Sequence, residues 1–102
     1  MLFQDWGIPT PLALQRLAPY RGRITLIASG GIRSGIDMAK AVILGASLCG
    51  LASPFLKPAM ESADRVIEKI ERLKCEYRTA MFLLGARTTA DLFDHQELIL
   101  TR

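Results

Sequence analysis

Two consecutive glycines, Gly30 and Gly31, stand between an apolar run and a helix-forming run, and this junction constrains the 102-residue chain more than any other feature. The run before them begins at Ile24, and the run after them ends at Leu44. Their composition and spacing predict a β-strand, a tight turn and an α-helix. Glycine permits positive φ and a close approach by another molecule, and the first amides of a helix have no intrahelical acceptor. The turn is therefore a candidate anion site, for phosphate above all.

Arg33 follows the glycine turn, at a helix start that already favours anions. Because a cation there adds charge-assisted hydrogen bonds to an anion, we favour ligand or substrate contact for Arg33 over a surface ion pair. Ser34 and Asp37 resemble a capping box, with Asp in place of the usual Glu or Gln. Asp37 also suits the positive end of the helix dipole, so we interpret it as a capping residue and not as a catalytic group.

A second apolar segment, residues 47–52, predicts another short strand after a single helix, which completes a right-handed βαβ unit. Ser53 and Pro54 then begin a very short helix, since proline is favoured at the first helical position. Two adjacent parallel strands, covered on both faces, would therefore each end in small residues and a helix start. In a (β/α)8 barrel, the loops after the last two strands often form a phosphate site together with a short extra helix.

Helices are predicted on both sides of this unit. Thr10 as N-cap and Pro11 as first helical residue open a short helix that Pro19 ends. A long amphipathic helix extends over residues 62–84, with its N-cap at residue 62 and its end at Gly85. We interpret this long helix as a covering helix and assign it no chemistry.

Four further residues are candidates for chemistry. Trp6 lies in a loop that glycine and proline keep irregular, and it either lies close to the substrate or another ligand or only anchors the loop. His95 stands among polar residues with no assembled partners, which favours solvent exposure over catalysis. Cys49 and Cys75 lack a second Cys or His at metal-ligand spacing, so we interpret them as reduced structural thiols. The sequence therefore yields no assignable catalytic residue and no metal ligand.

Composition argues against several classes of function. Half of the residues are hydrophobic and the net charge is +3, but basic and acidic residues alternate over residues 64–78 without interleaved aromatics. Nucleic-acid binding is therefore not expected. The apolar stretches are interrupted well before the roughly 20 residues that a membrane span needs. The first residues lack the basic start and apolar centre of a signal peptide, so we expect no membrane partner and a cytoplasmic location.

The predicted elements are too few for a complete domain. Two parallel strands cannot form a stable sheet alone, because three helices cannot cover both faces and both edges. A (β/α)8 barrel needs roughly 250 residues. We therefore expect residues 1–102 to be the C-terminal portion of a TIM barrel, about the last two βα units with the preceding loop and helix. Catalytic groups in barrels come from several strand ends, most of which this sequence lacks.

Four segments of the sequence share a family pattern: Asp5–Thr10, Ala28–Ala41, Leu44–Ala46 and Met81–Ala86. Together they extend over nearly the whole sequence, which resembles the C-terminal part of type 2 isopentenyl-diphosphate isomerase. The pattern Gly-Gly-Ile-Arg-x-Gly-x-Asp is shared widely among flavin-dependent barrels, such as the 2-hydroxyacid oxidases. The segments Trp-Gly-Ile-Pro-Thr and Met-x-Leu-x-Gly-Ala narrow the resemblance to the isomerase.

The resemblance implies an FMN-bound barrel that interconverts isopentenyl and dimethylallyl diphosphate by proton transfer. Family members need reduced flavin, usually supplied by NADPH, and Mg2+ for the diphosphate, and they commonly form homo-oligomers (tetramers or octamers). Carried over by position, Gly30 would shape the turn, and the FMN phosphate would be held largely through backbone amides. The residues implied to hold it are Gly31, Ile32, Arg33, Ala52 and Ser53. The family's metal-binding Glu and its neighbouring Gln have no counterpart here.

Three hypotheses follow for the function. The first is a C-terminal fragment of such an isomerase, separated by gene truncation or an incomplete reading frame, that supplies flavin phosphate-binding loops and is inactive alone. The second is a fragment of another FMN-dependent TIM-barrel oxidoreductase. The third is a non-catalytic flavin- or phosphate-binding half that complements a separate N-terminal chain.

Overall fold

The computed structural model describes residues 7–20 and 22–98. This part of the chain forms four α-helices, two β-strands and three 3₁₀ turns. In chain order the helices and strands are α1 (Thr10–Leu17), β1 (Ile27–Ser29), α2 (Gly35–Ile43), β2 (Leu48–Gly50), α3 (Ser53–Glu61) and α4 (Ala63–Leu84). The 3₁₀ turns are Ala18–Tyr20, Thr89–Asp91 and Gln96–Leu98.

The two strands pair in parallel, with α2 between them in the chain, which confirms the predicted strand–helix–strand arrangement. Ile27 pairs with Leu48, and Ser29 pairs with Gly50. The first strand begins at Ile27, whereas the apolar run that predicted it begins at Ile24. Both strands end at the same edge of the sheet because parallel pairing aligns their carboxyl ends.

Within the described residues only one face of the sheet is covered, as expected of a chain whose helices are too few to cover both. Ala28 is buried at the centre of β1, but Ile27 is 61% exposed and its partner Leu48 is 60% exposed. Alternate residues of a strand point to opposite faces, so one face packs on helices and the other is open. Helices α1 and α2 pack on the Ala28 face, and within the described residues Ile27 and Leu48 on the other face stay mostly exposed.

Helix α2 contributes to both clusters of buried apolar side chains. The first cluster joins α1, β1 and α2, and its members are Leu14, Leu26, Ala28, Ile32, Ala41, Leu44 and Ala46. The second joins α2, α4 and the segment after α4, and its members are Ala39, Val42, Ile43, Ala80 and Leu92. The second half of α2 is therefore anchored from two sides.

The ends of the long helix α4 confirm the prediction. Ser62 Oγ accepts a hydrogen bond from the amide of Arg65 over 3.1 Å, as expected of an N-cap. Gly85 ends the helix with φ at 76°, the left-handed conformation that favours glycine. The start of α1 differs by one residue, because Pro9 occupies the N-cap and Thr10 is already helical.

Candidate functional site

The glycine turn has the backbone that its sequence predicts. Gly30 has φ at 94° and Gly31 has φ at 74°, so both lie in the left-handed region that other residues avoid. A Cβ built on Gly31 would meet nothing within 4 Å, so the main chain at this residue is open to approach. A Cβ on Gly30 would lie 3.4 Å from Thr10 Oγ1. The turn therefore faces α1 at Gly30 and is open at Gly31.

Thr10 fastens the first turn of α1 to the glycine turn. Its Oγ1 lies 2.7 Å from the carbonyl oxygen of Gly30 and 3.0 Å from that of Ser29. A hydroxyl has a single proton, so it donates to one of these oxygens at a time. This bond explains why Thr10 does not cap α1, since its hydroxyl is used across the fold. Sequence reasoning missed this role, and no local pattern indicates it.

The start of α2 uses three of its amides internally. Ser34 Oγ accepts from the amide of Asp37 over 3.1 Å, which confirms one half of the predicted capping box. Asp37 Oδ2 accepts from the amide of Arg33 over 3.1 Å, one residue before the N-cap. Glu76 Oε1, from α4, accepts from the amide of Gly35 over 3.0 Å. These three amides are therefore not free to bind a ligand.

Two backbone amides of the glycine turn, unlike the three above, are not used inside the described part of the protein. Within the described residues, the amides of Gly31 and Ile32 have no hydrogen-bond acceptor. Both residues line an open cavity of about 500 Å³ that lies between α1, the turn and α2. Lys40 and Asp37 of α2 also line this cavity. The unpaired amides and Lys40 favour an anion here, whereas the Asp37 carboxylate opposes one and most of the remaining lining is apolar.

The second predicted loop begins at the end of β2. Ala52 is the N-cap of α3, and Ser53 is its first residue; both are exposed. Pro54 has no amide proton, and the amide of Phe55 donates to the Ala52 carbonyl over 3.0 Å. The Ser29 to Gly50 pairing places this loop next to the glycine turn at the same sheet edge. The parallel pairing therefore puts the two predicted loops at the same end of the sheet.

The remaining candidates lie elsewhere. Arg33 is exposed, and its guanidinium forms no ion pair with a residue in the described ranges. Trp6 lies outside the described residues. His95 is exposed, with Nδ1 3.1 Å from Glu97 Oε1, which agrees with the interpretation as a surface residue. Burial raises the pKa of the half-buried Cys49 thiol, while Cys75 is exposed.

Two features are absent from the described residues. No group of three or more His, Cys, Asp or Glu side chains is arranged to hold a metal ion within residues 7–20 and 22–98. Over the same residues, no helix combines the length and the apolar character that crossing a bilayer requires.

The sequence model of the FMN-dependent dehydrogenase family matches residues 5–100, which include every element described above. The chain belongs to the FMN-dependent dehydrogenase family. The matched region includes the glycine turn, α2 and the loop after β2. The described residues form a small α/β unit with a parallel two-stranded sheet.

Curated relatives of this chain have a name more specific than that of the family. An isopentenyl-diphosphate delta-isomerase of Hydrogenovibrio crunogenus is 55% identical over 98 residues, which cover 96% of this chain and 29% of the relative. The same enzyme name belongs to a relative from Paracoccus zeaxanthinifaciens, 54% identical over 103 residues, with 97% of this chain and 30% of the relative covered. The chain thus spans less than a third of these relatives' length. The resemblance drawn from its motifs is confirmed.

The geometry fits the phosphate of FMN. The turn supplies two unpaired amides on an open backbone, and a second helix start lies beside it at the same sheet edge. Helix N-termini and glycine turns of this kind bind phosphate through main-chain donors. The fit concerns the phosphate end of FMN alone.

Proposed function

We propose that this chain supplies the FMN phosphate-binding loops of an isopentenyl-diphosphate delta-isomerase. The observation that carries the proposal is the pairing of Ser29 with Gly50, which sets the glycine turn beside the start of α3. Names of the relatives support the isomerase, and the family description supports FMN. In the full enzyme the substrates would be isopentenyl and dimethylallyl diphosphate.

Each residue of the proposed FMN phosphate site has its own role. Gly30 shapes the turn, and Gly31 and Ile32 donate their amides to the FMN phosphate. Arg33 contributes through its guanidinium, because its amide already donates to Asp37. Ala52 and Ser53 contribute to binding the FMN phosphate from the start of α3. No catalytic residue and no metal ligand of the isomerase is proposed in this chain.

The open face of the sheet supports a larger fold. Ile27 and Leu48 are apolar side chains on one face, and both are mostly exposed. In a closed (β/α)8 barrel, alternate strand residues point inward and pack against those of other strands. We propose that residues 1–102 form the C-terminal portion of such a barrel, with the remaining strands supplied by other polypeptide sequence. This arrangement would cover Ile27 and Leu48.

The assembled enzyme would perform a redox-neutral double-bond shift by proton transfer, the chemistry that reduced FMN supports when bound. NADPH would reduce the flavin, and Mg2+ would bind the diphosphate through residues outside this chain. We further propose a cytoplasmic enzyme that forms homo-oligomers, either tetramers or octamers. Because these acid, base and metal-binding groups are not among the assigned residues, the 102-residue chain alone would be inactive.

A fluorescence titration of FMN into the purified chain tests the phosphate site, with riboflavin, which lacks the phosphate, as the control ligand. We expect saturable quenching by FMN and none by riboflavin. Gly31→Ala should weaken binding because Gly31 has φ at 74°, which a Cβ disfavours. Gly22→Ala is the matched control, since its Cβ would meet nothing within 4 Å. Equal binding of both ligands would contradict the proposal.

The open sheet face also favours a second candidate, a half that complements a separate chain. Co-expression with the part of the Hydrogenovibrio crunogenus relative that the match leaves uncovered tests it. A stable complex that isomerises isopentenyl diphosphate supports the isomerase. A complex that binds flavin without turnover supports a non-catalytic half, and electron transfer to an acceptor without isomerisation supports another FMN-dependent oxidoreductase, as the family description allows.

A further inference from the structure

Asp37 is held at two points beside the proposed phosphate site. Its own amide donates to Ser34 Oγ over 3.1 Å, and its Oδ2 accepts from the amide of Arg33 over 3.1 Å. Asp37 is half-buried, and it lines the same cavity as Gly31 and Ile32. The carboxylate therefore links the first turn of α2 to the residue that follows the unpaired amides.

The charge of Asp37 opposes an anion in that cavity. A carboxylate repels a phosphate at short range, because like charges disfavour each other's ionised form. Binding would thus gain nothing from the negative charge itself. What the side chain supplies is an acceptor oxygen for the Arg33 amide, which would otherwise be an unpaired donor at the helix start.

The backbone amides near the turn fall into two groups, those bonded within the chain and those left unpaired in the part that the structure describes. Arg33, Gly35 and Asp37 give their amides to acceptors within the chain, while Gly31 and Ile32 have none within the described residues. Release of the Arg33 amide would free the residue next to Ile32 to rotate. The bond from Arg33 to Asp37 is thus one of the contacts that fix the orientation of the two unpaired amides, together with the burial of the Ile32 side chain.

We propose that Asp37 is a positioning residue for the FMN phosphate, and this rests on the proposed function. Its carboxylate holds the Arg33 amide inside the protein, so that Gly31 and Ile32 present theirs to the phosphate. Arg33 then reaches the phosphate only through its side chain. The acceptor oxygen is what matters, and the negative charge is dispensable.

Two substitutions separate the acceptor from the charge. Asp37→Asn keeps an acceptor oxygen and the side-chain size but removes the charge, so FMN affinity should equal or exceed that of the wild type. Asp37→Ala removes the acceptor, and FMN affinity should fall about tenfold, the usual effect of one hydrogen bond. Asp64→Ala is the matched control, since Asp64 is an exposed acidic residue in the first turn of α4. It should leave FMN affinity unchanged.

A measurement on the wild-type chain covers the case in which Asp37→Ala fails to fold. In ¹⁵N-labelled protein, FMN should shift the amide resonances of Gly31 and Ile32 and leave that of Arg33 nearly unmoved. An Arg33 shift as large as that of Gly31 would overturn the proposal, and so would equal losses of affinity in Asp37→Asn and Asp37→Ala. Wild-type affinity in Asp37→Ala would overturn it too, with the proposed function intact. If the wild type fails to distinguish FMN from riboflavin, both proposals fall.

Discussion

The amide of Gly35 donates a hydrogen bond to Oε1 of Glu76 over 3.0 Å, and the two residues are 41 positions apart in the chain. Gly35 is buried at the first position of α2. A Cβ built there would collide with the backbone of α4 at Leu73 and Tyr77. The missing side chain thus lets α4 approach closely enough for its carboxylate to bind the start of α2.

Gly35→Ala should therefore destabilise the protein. The added methyl group cannot be accommodated by a side-chain rotation, because the colliding atoms belong to the α4 backbone. Overpacking of this kind costs about 1–3 kcal/mol. Urea unfolding followed by circular dichroism measures the change. Gly22→Ala is the control, with nothing within 4 Å of its Cβ and an expected change within about 0.5 kcal/mol. Equal midpoints for both variants would contradict the close packing of α2 and α4.

Glu76→Ala should lower stability by leaving the Gly35 amide without its acceptor, at a cost of about 1–3 kcal/mol. Glu76→Gln keeps an acceptor oxygen and should recover most of the loss. Hydrogen exchange of the Gly35 amide should accelerate in the alanine variant and remain slow in the glutamine variant. Glu71→Ala is the matched control on α4, because its ion pair with Lys74 is exposed and such pairs contribute about 0.2–1 kcal/mol. Exchange that is equally slow in every variant would rule out the bond.

Local features of this fold could be predicted from the sequence. The capping serines and the left-handed glycines depend on residues within a few positions of one another, and so does the order of strand, helix and strand. The contacts that Thr10 and Glu76 make could not be predicted, since they join residues 20 and 41 positions apart through tertiary packing. A glycine at the start of a helix does hint at close approach, without naming the partner.

The candidate site likewise has features that the sequence predicted and features that it could not predict. The glycine turn and the start of α3 were predicted, because each is a short pattern at a strand end. The use of the Arg33 amide by Asp37 could not be foreseen, since a capping box would take the amide of Ser34 instead. An open sheet face was expected from the small number of helices, but which side chains it would expose, Ile27 and Leu48, depends on tertiary packing and could not be predicted.

Leu92→Ala should be among the most destabilising single substitutions in the described part of the chain. Leu92 is 0% exposed and packs with Val42, Ile43 and Ala80, so it fastens the segment after α4 onto α2. Loss of a fully buried leucine side chain costs about 2–5 kcal/mol. Leu83→Ala is the matched control, because Leu83 is 76% exposed and should change stability by less than about 0.5 kcal/mol. A small effect at both positions, measured by thermal and urea unfolding, would contradict a core at Leu92.

Asp91 should make stability depend on pH in the acid range. Hydrogen bonds from the amides of Arg87 and Thr88, at 2.9 and 3.2 Å, hold the pKa of the Asp91 carboxyl below its ordinary value of 3.8. A depressed folded-state pKa means that the ionised form stabilises the fold. That contribution is fully present above the unfolded-state pKa and is lost as the pH falls through the folded-state pKa.

A carboxyl ¹³C titration by NMR measures this directly. The midpoint for Asp91 should be lower in the folded chain than in the chain unfolded by concentrated urea. Asp91→Asn removes the ionisable group, so the difference in urea midpoint between wild type and variant should be constant from pH 7 to about 5 and shrink as the pH falls through the lowered folded-state value. Identical carboxyl midpoints in the folded and unfolded chains would show that the two amide bonds do not favour the ionised form.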